Sequence, residues 1–486
     1  VTDINKVVTP VLSQDAGTEI IYVPFSKSGF ELGGSSFSQV MNSLGLKTPG
    51  VPDPENFKAV FNALQGLIAD GLILAGHDIS AGGLITSMLE MNFANKSGGL
   101  TIDLDAFDSD DIVKLLFSEK PGVIIQTKTS DSVAMRLKSI GIDARCIGKV
   151  VKDRILTIKH RMHSYDFDID SLRDLWFKTS YLLDRNQADP QLALERYKNY
   201  KEQALNFRFM AEFSGKFEQF GLDPARNTMS GVKAAIIREK GVNGDREMAR
   251  AMHMAGFDVK DVHMTDLISG RETLSDINFI VFVGGFSNSD VLGSGKGWAG
   301  AFMFNEKARA ALDAFYARKD TLSLGVCNGC QVMTELELIY PDHAKHPKML
   351  HNASGKFESA FLTVEVEMNE SVMLKSLSGS RLGIWVAHGE GQFELPCEET
   401  KYIIPLKYSH DEYPGNPNGS PFATAGIVSE DGRHLAMMPH LERAFLPWQW
   451  AHYPEDRKND QMTPWLEAFV NARKWVDECR MTNVEG

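Results

Sequence analysis

The alternation of apolar and polar positions divides the chain into two regions of mixed strand and helix, separated by a charged, helix-rich stretch. In the first region, residues 20–24 (IIYVP) read as a buried strand. A helix is expected from Ser36, with Phe37, Val40, Met41 and Leu44 on one face. Residues 56–68 place Phe57, Val60, Phe61, Leu64, Leu67 and Ile68 at helical spacing, which predicts an amphipathic helix. A strand over 72–75 then runs into HDISAGGL (77–84) and a helix over 85–94. A strand over 122–127, a helix around 130–140 and a strand near 146–151 follow. This succession indicates an α+β or α/β domain over residues 1–155.

From 160 to 222 the chain is highly charged and carries few strand signals. Helices are expected over 172–182 and 192–213, the second organised around Leu194, Tyr197, Tyr200, Leu205 and Phe209. Pro224 and the polar run 226–230 mark a boundary, so 156–230 reads as a packed helical connector. Over 231–486 the α/β signal is clear. A strand at 232–237, a turn at 241–244 and a helix over 246–255 with Asp245 as its cap open this domain. Strands at 257–262 and 279–283 follow, then a helix over 308–318 and a strand over 321–326. That last strand delivers Cys327 to a helix opening at Gln331. In doubly wound sheets, sites gather at the carboxyl ends of strands, where Gly284-Gly285 and Cys327 both fall.

Composition narrows the classes. The 486 residues are 43% hydrophobic and 24% charged, as expected of a globular chain of two or three domains. No apolar run is long enough for a membrane span, and the N-terminus has neither an initiator Met nor a signal-peptide core, so the chain reads as cut from something longer. A net charge of −13 argues against nucleic-acid binding, which needs Lys and Arg to displace phosphate counterions. Cysteines at 146, 327, 330, 397 and 479 are odd in number and scattered, which suits a reducing compartment.

Two glycine pairs in the first domain, Gly33-Gly34 before Ser35 and Gly82-Gly83 after His77-Asp78, sit between strand and helix and could face a phosphate. Spacing alone favours tight turns there, and a helix-capping role for His77-Asp78 over metal ligation. In the last domain, a cysteine at a sharp strand-to-helix turn is exposed to substrate beside free backbone N–H groups. Cys327 and Cys330 form C-x-x-C. Zinc is excluded by the lack of a second ligand pair, whereas a redox pair stays open. A thiol nucleophile needs a base and an orienting partner. His440 with Glu442 two residues on has that spacing, and His388 in AHGEG (387–391) is the rival base that lacks it.

These residues carry a family resemblance. GVCNGCQ (325–331) resembles the G-x-C-x-G-x-Q elbow of the class I, triad glutamine amidotransferases, and PHLER (439–443) their P-H-P-E-R motif, with Leu441 where proline is usual. The stretches GGFSNSDVLGSGKGWA (284–299), HNASGKFES (351–359), AHGEG and YPGNPNGS (413–420) are similar to the glutaminase domain of the large single-chain phosphoribosylformylglycinamidine synthases. Asn288-Ser289 stand there in place of Tyr-Gly. VTDINKVVTP (1–10), LGGSSFSQV (32–40) and HDISAGGLITSMLEMNFA (77–94) resemble the AIR-synthase-like C-terminal subdomain of the same family.

The resemblance implies a flavodoxin-like, doubly wound amidotransferase domain preceded by an α+β synthase subdomain. It implies Cys327 as nucleophile, His440 as base and Glu442 as its orienting partner. Backbone N–H groups near Gly285 and Asn328 would hold the oxyanion, with Gln331, Asn352, Phe357 and Glu358 in the glutamine pocket. Gly33, Gly34, Ser35, His77, Asp78, Gly82 and Gly83 would border a nucleotide or phosphate site. The implied reaction is the glutamine- and ATP-dependent amidation of formylglycinamide ribonucleotide in purine biosynthesis, in the cytoplasm. ATP and Mg2+ would be held mostly by upstream synthase domains of the same polypeptide, and the glutaminase half would need no cofactor. Two other classes compete: a thiol-redox protein using Cys327 and Cys330, and a catalytically silent glutamine-binding module.

Overall fold

The computed structural model describes residues 3 and 6–485, without the side chains of 483–485. Val1, Thr2, Ile4 and Asn5, part of the first stretch of resemblance, lie outside the described residues. Among those described, no helix is long and apolar enough to cross a membrane. The chain forms two compact units, Val1–Ser180 and Tyr181–Gly486.

The first unit is built on a seven-stranded sheet. Its order from edge to edge is Ala75–Asp78, Gly122–Thr127, Glu19–Pro24, Arg145–Val151, Gly99–Asp103, Ile155–His160 and His163–Asp168. Neighbours pair antiparallel except Gly99–Asp103 with Ile155–His160. The run IIYVP is apolar throughout because both faces of its strand are covered. Ile20 and Tyr22 enter one core with Leu84 and Met88, while Ile21 and Val23 enter another with Val60, Leu64, Val133 and Leu137. Helices Gly83–Phe93 and Pro54–Ala69 supply those two layers, the latter capped by Asp53, which accepts from the Asn56 N–H.

Three expectations fail here. The strand placed at 72–75 starts at Ala75, because Leu72 N–H still donates to the Leu67 carbonyl of the preceding helix after the turn at Gly71 (φ 69°). The helix from Ser36 ends at Val40, and Val40, Met41 and Leu44 are exposed instead of forming a buried face. The backbone bends back there so that the Lys47 and Leu44 carbonyls accept from Gly33 and Gly34 N–H. Finally, His163–Asp168 is a strand inside the stretch read as helical connector.

The second unit holds a nine-stranded sheet. From one edge it runs Arg381–His388, Glu358–Val366, Ile403–Tyr408, Thr424–Val428, His434–Met437, Leu322–Val326, Phe279–Phe282, Lys233–Arg238 and Asp258–His263. The last five are parallel. Counted in chain order these five lie 2-1-3-4-5, the flavodoxin-like arrangement, with its switch point between Lys233–Arg238 and Phe279–Phe282. The other four form an antiparallel extension.

Helix Asp245–Met254 is entered through Gly244 in the left-handed region, so Asp245 lies in its first turn and does not cap it. The helix expected over 192–213 is Pro190–Asn199. Beyond it, Arg208 pairs as extended backbone with Arg381 on the edge strand, while Phe207 and Phe209 pack on Trp450. Docking to the sheet edge overrides a helical spacing that continues through Phe209.

Candidate active site

Strand Leu322–Val326 is wholly buried and ends at Cys327, whose backbone (φ 52°, ψ −108°) lies outside the regions an L-residue prefers. Helix Asn328–Glu335 starts at the next residue, three earlier than the pattern suggested. The Cys327 N–H donates to the Met437 carbonyl at 2.9 Å, tying the elbow to the neighbouring strand. Two glycines make the turn sterically feasible. A Cβ on Gly329 would lie 1.9 Å from the Phe282 carbonyl oxygen, and one on Gly284 would lie 2.8 Å from His440 Cε1 and 3.4 Å from Cys327 Cβ. Gly284 thus borders both the thiol residue and the imidazole.

His440 follows strand His434–Met437, and its Nδ1 meets Glu442 Oε1 at 2.7 Å with both residues 1% exposed. Among the described residues, His440 Nε2 and Glu442 Oε2 are buried without a hydrogen-bond partner. Burial alone would depress the imidazole. The charges of Glu442 and the Cys327 sulfur outweigh it and raise His440 to about 9. The imidazole is therefore protonated at neutral pH beside the thiol. His388 lies in a different setting, with Nδ1 on Asn352 Oδ1 at 3.1 Å, and burial together with the His440 charge pushes it down to about 3. Asn352 Nδ2 donates to the carbonyls of Lys356 and His388, so its Oδ1 is the acceptor and His388 is protonated at Nδ1. Of the two histidines, only His440 has a carboxylate partner.

The other candidates divide. Among the described residues, Gly285 and Asn328 N–H take part in no loop or turn hydrogen bond, and the Asn328 side chain joins Ser287 N–H (3.2 Å) to Gln331 Oε1 (2.9 Å). Gln331 Nε2 donates to the Glu390 carbonyl at 2.6 Å. Asn352 is spent on joining its own loop to AHGEG, since its Oδ1 also accepts from Gly391 N–H at 2.9 Å. Phe357 is half-exposed, 6.1 Å from the equally exposed Phe286 ring. Glu358 is buried, and both its oxygens are engaged, by Arg196 Nη2 at 2.6 Å and Tyr413 OH at 2.8 Å. Cys330 is fully buried, and desolvation reinforced by the Cys327 charge holds its thiol well above the usual range, which disfavours a redox partner.

Sequence reasoning missed several groups. The Cys327 thiol faces the Ala387 carbonyl at 3.5 Å, and Glu390 accepts from Ser294 N–H at 3.2 Å. Burial, with the Glu390 charge adding to it, raises the Asp290 carboxyl. AHGEG marked this loop, but only the fold places it over the thiol.

In the first unit, the glycine pairs behave as turns. Gly33 and Gly34 N–H donate to Lys47 and Leu44, Ser35 to Leu32 and Gly83 to Ser80. Ser35 caps the short helix Ser36–Val40. Glu119, unmarked in the sequence, accepts from Ser36 N–H at 2.8 Å and Gly82 N–H at 3.0 Å and so joins the two loops. Burial works against the ionised carboxyl, but these N–H groups hold it below the usual range. His77 does not cap helix Gly83–Phe93. Its Nε2 meets Glu90 at 3.2 Å, its Nδ1 lies 2.7 Å from the Asp78 carbonyl, and Gly82 occupies the cap position without a side-chain bond. None of these candidates lines the cavity of about 540 Å³ bordered by Tyr22, Phe30, Lys120 and Arg145. Among the described residues, no group of three or more His, Cys, Asp or Glu could hold a metal ion.

The CobB/CobQ-like glutamine amidotransferase domain matches residues 231–476, half the chain. The chain belongs to that family. The amidotransferase domain is preceded by a match to the C-terminal domain of AIR synthase related proteins over residues 15–161. The amidotransferase chain is 40% identical over 98% of its length to a probable chloroplastic/mitochondrial phosphoribosylformylglycinamidine synthase of Arabidopsis thaliana, of which it covers 35%. It is 39% identical over 98% of its length to the phosphoribosylformylglycinamidine synthase of Homo sapiens, of which it covers 38%. It thus spans little more than a third of these relatives. PurLQS from Thermotoga maritima overlaps 51% of this chain and 99% of its own, at 25% identity and a TM-score of 0.39.

Proposed function

We propose that this chain generates ammonia from glutamine and forms part of a phosphoribosylformylglycinamidine synthase. The observation that carries the reading is the buried His440–Glu442 pair beside a cysteine held at a strained elbow. Cys327 sulfur attacks the glutamine side-chain carbonyl carbon while His440 carries the proton. Charge that develops on oxygen is met by the Gly285 and Asn328 N–H groups, each such donor supplying about 3 kcal/mol in comparable sites. His440 passes its proton to the departing nitrogen, ammonia leaves and a γ-glutamyl thioester remains. His440 then takes a proton from water, which attacks the thioester to give glutamate and the free thiol. Gln331 and Phe357 are proposed to line the glutamine pocket, with Asn352 and Glu358 shaping it from behind.

The whole-protein role, glutamine- and ATP-dependent amidation of formylglycinamide ribonucleotide, is supported by the relatives named phosphoribosylformylglycinamidine synthase; a cytoplasmic location is proposed on the scattered free cysteines alone, which suit a reducing compartment. ATP and Mg2+ do not fit the candidate groups of the first unit. The N–H groups of Gly33, Gly34, Ser35 and Gly83 are already bonded, and Glu119 occupies those of Ser36 and Gly82. The test is glutamine hydrolysis by the 486-residue chain together with mass-spectrometric mapping of a 6-diazo-5-oxonorleucine adduct. Hydrolysis with the adduct on Cys327 is expected, and absence of both refutes the reading.

A further inference from the structure

We propose that Arg196 is a positioning residue for glutamine binding, acting through Glu358 at the start of the strand beside the edge strand that borders Cys327; the proposal rests on the glutaminase reading. Helix Pro190–Asn199 lies in the stretch from which the sequence yields no function. Asp189 caps it, accepting from Gln191 and Leu192 N–H, and the Asp189 N–H itself donates to the Ser354 carbonyl at 3.0 Å. The helix is thereby fastened to the loop that follows Asn352. At the other side of the same loop, Lys356 pairs with Asp184, which also accepts from Arg196 Nη1 at 3.2 Å.

Arg196 makes three contacts at once. One guanidinium nitrogen holds Asp184, another holds Glu358 Oε2 at 2.6 Å, and the plane lies 4.8 Å from the Tyr413 ring centre. Tyr413 OH completes the enclosure by donating to Glu358 Oε1. The Glu358 side chain is 5% exposed, so it depends on Arg196 for its counter-charge.

The consequence for the site follows from register. Glu358 opens strand Glu358–Val366 and pairs with His388, and Ser359 pairs with Ala387, the residue whose carbonyl meets the Cys327 thiol. The same strand end carries Phe357 at the site's mouth. Through Asn352 it also fixes His388 and Gly391, next to the Glu390 carbonyl that receives Gln331. Cys327, His440 and Glu442 come from the parallel half of the sheet, whereas the wall fixed by Arg196 comes from the antiparallel extension. His440 N–H also donates to the Trp385 carbonyl of the edge strand at 2.9 Å, three residues before His388, so loss of Arg196 is felt first at the glutamine-binding wall and reaches the triad only through that bond and the Ala387 carbonyl.

The experiment is steady-state glutaminase kinetics on the 486-residue chain with Arg196→Met, Arg196→Lys and Asp184→Asn, with thermal unfolding as a fold control. Arg196→Met is expected to raise the KM for glutamine about tenfold and to leave kcat within about threefold. Arg196→Lys recovers part of the loss, since lysine can serve one carboxylate but not the forked contact. Asp184→Asn raises KM less, and it decides the matter should Arg196→Met fail to fold. A folded variant with wild-type KM, or a loss confined to kcat, overturns the positioning role alone. A wild-type chain that neither hydrolyses glutamine nor labels at Cys327 overturns the glutaminase reading beneath it.

Discussion

Three glycine-bearing strand-to-helix turns, two in the first unit and one in the second, look alike in sequence and differ in what they leave unbonded. In the first unit, the Gly33-Gly34 and Gly82-Gly83 turns satisfy themselves. Their N–H groups reach Lys47, Leu44, Ser80 and the Glu119 carboxylate. In the second, the turn at Cys327 is surrounded by buried groups with open valences: His440 Nε2, Glu442 Oε2, His388 Nε2 and Ser287 Oγ. A buried polar atom without a partner costs stability, so a cluster of them around a strained residue is a place where binding can recover what folding gave up. Glycine pattern alone does not separate the two cases; hydrogen-bond satisfaction does.

The strongest way to break that contrast is at the thiol. Cys327→Ala is expected to reduce glutaminase turnover by at least ~10³-fold, whereas Cys330→Ala leaves it within a few-fold, read from ammonia release. Equal losses would return the redox pair to contention. Glu442→Gln keeps the shape but removes the charge that holds the imidazole proton, so a loss of ~10²-fold or more in kcat/KM is expected. It should come with a lower His440 pKa by NMR titration, and an unmoved pKa would show that Glu442 does not hold the ring.

The pH dependence sharpens the comparison of the two histidines. His440 is raised from 6.5 to about 9, so its contribution to stability is fully present below about 6.5 and disappears as pH rises through about 9. His388 is lowered from 6.5 to about 3, so its contribution is present above about 6.5 and is lost as pH falls towards 3. Labelling of Cys327 by 6-diazo-5-oxonorleucine should change across pH 9 in step with His440. A profile that instead titrates near 6.5 would refute the raised imidazole.

In the first unit the corresponding change is structural. Glu119→Ala leaves Ser36 and Gly82 N–H without their acceptor and should cost about 1–2 kcal/mol in denaturant unfolding, with glutaminase turnover unchanged. The smallest effect is expected at Ser289, one of three successive non-glycine residues with positive φ (53°, 57° and 48° at Asn288, Ser289 and Asp290). Ser289→Gly should stabilise the chain by roughly 0.5–1 kcal/mol, since glycine meets no steric penalty there.

Much of this protein was legible locally. Buried runs such as 20–24, 279–282 and 322–326 announce strands, because a strand covered on both faces must be apolar throughout. The C-x-G elbow and the H-x-E spacing put nucleophile, base and carboxylate within a few residues of their strand ends. Other features were decided by contacts distant in sequence. The helical spacing through Phe209 gave way to pairing of Arg208 with Arg381, and the exposed Val40 and Leu44 follow from a bend that serves Gly33 and Gly34. Glu358, marked for the pocket, proved to be enclosed by Arg196, 162 residues away. Local sequence states which backbone conformations and side-chain chemistries are available. Which amides are already bonded, and which buried charge has a partner, depends on how remote segments meet, and only the tertiary structure sets that.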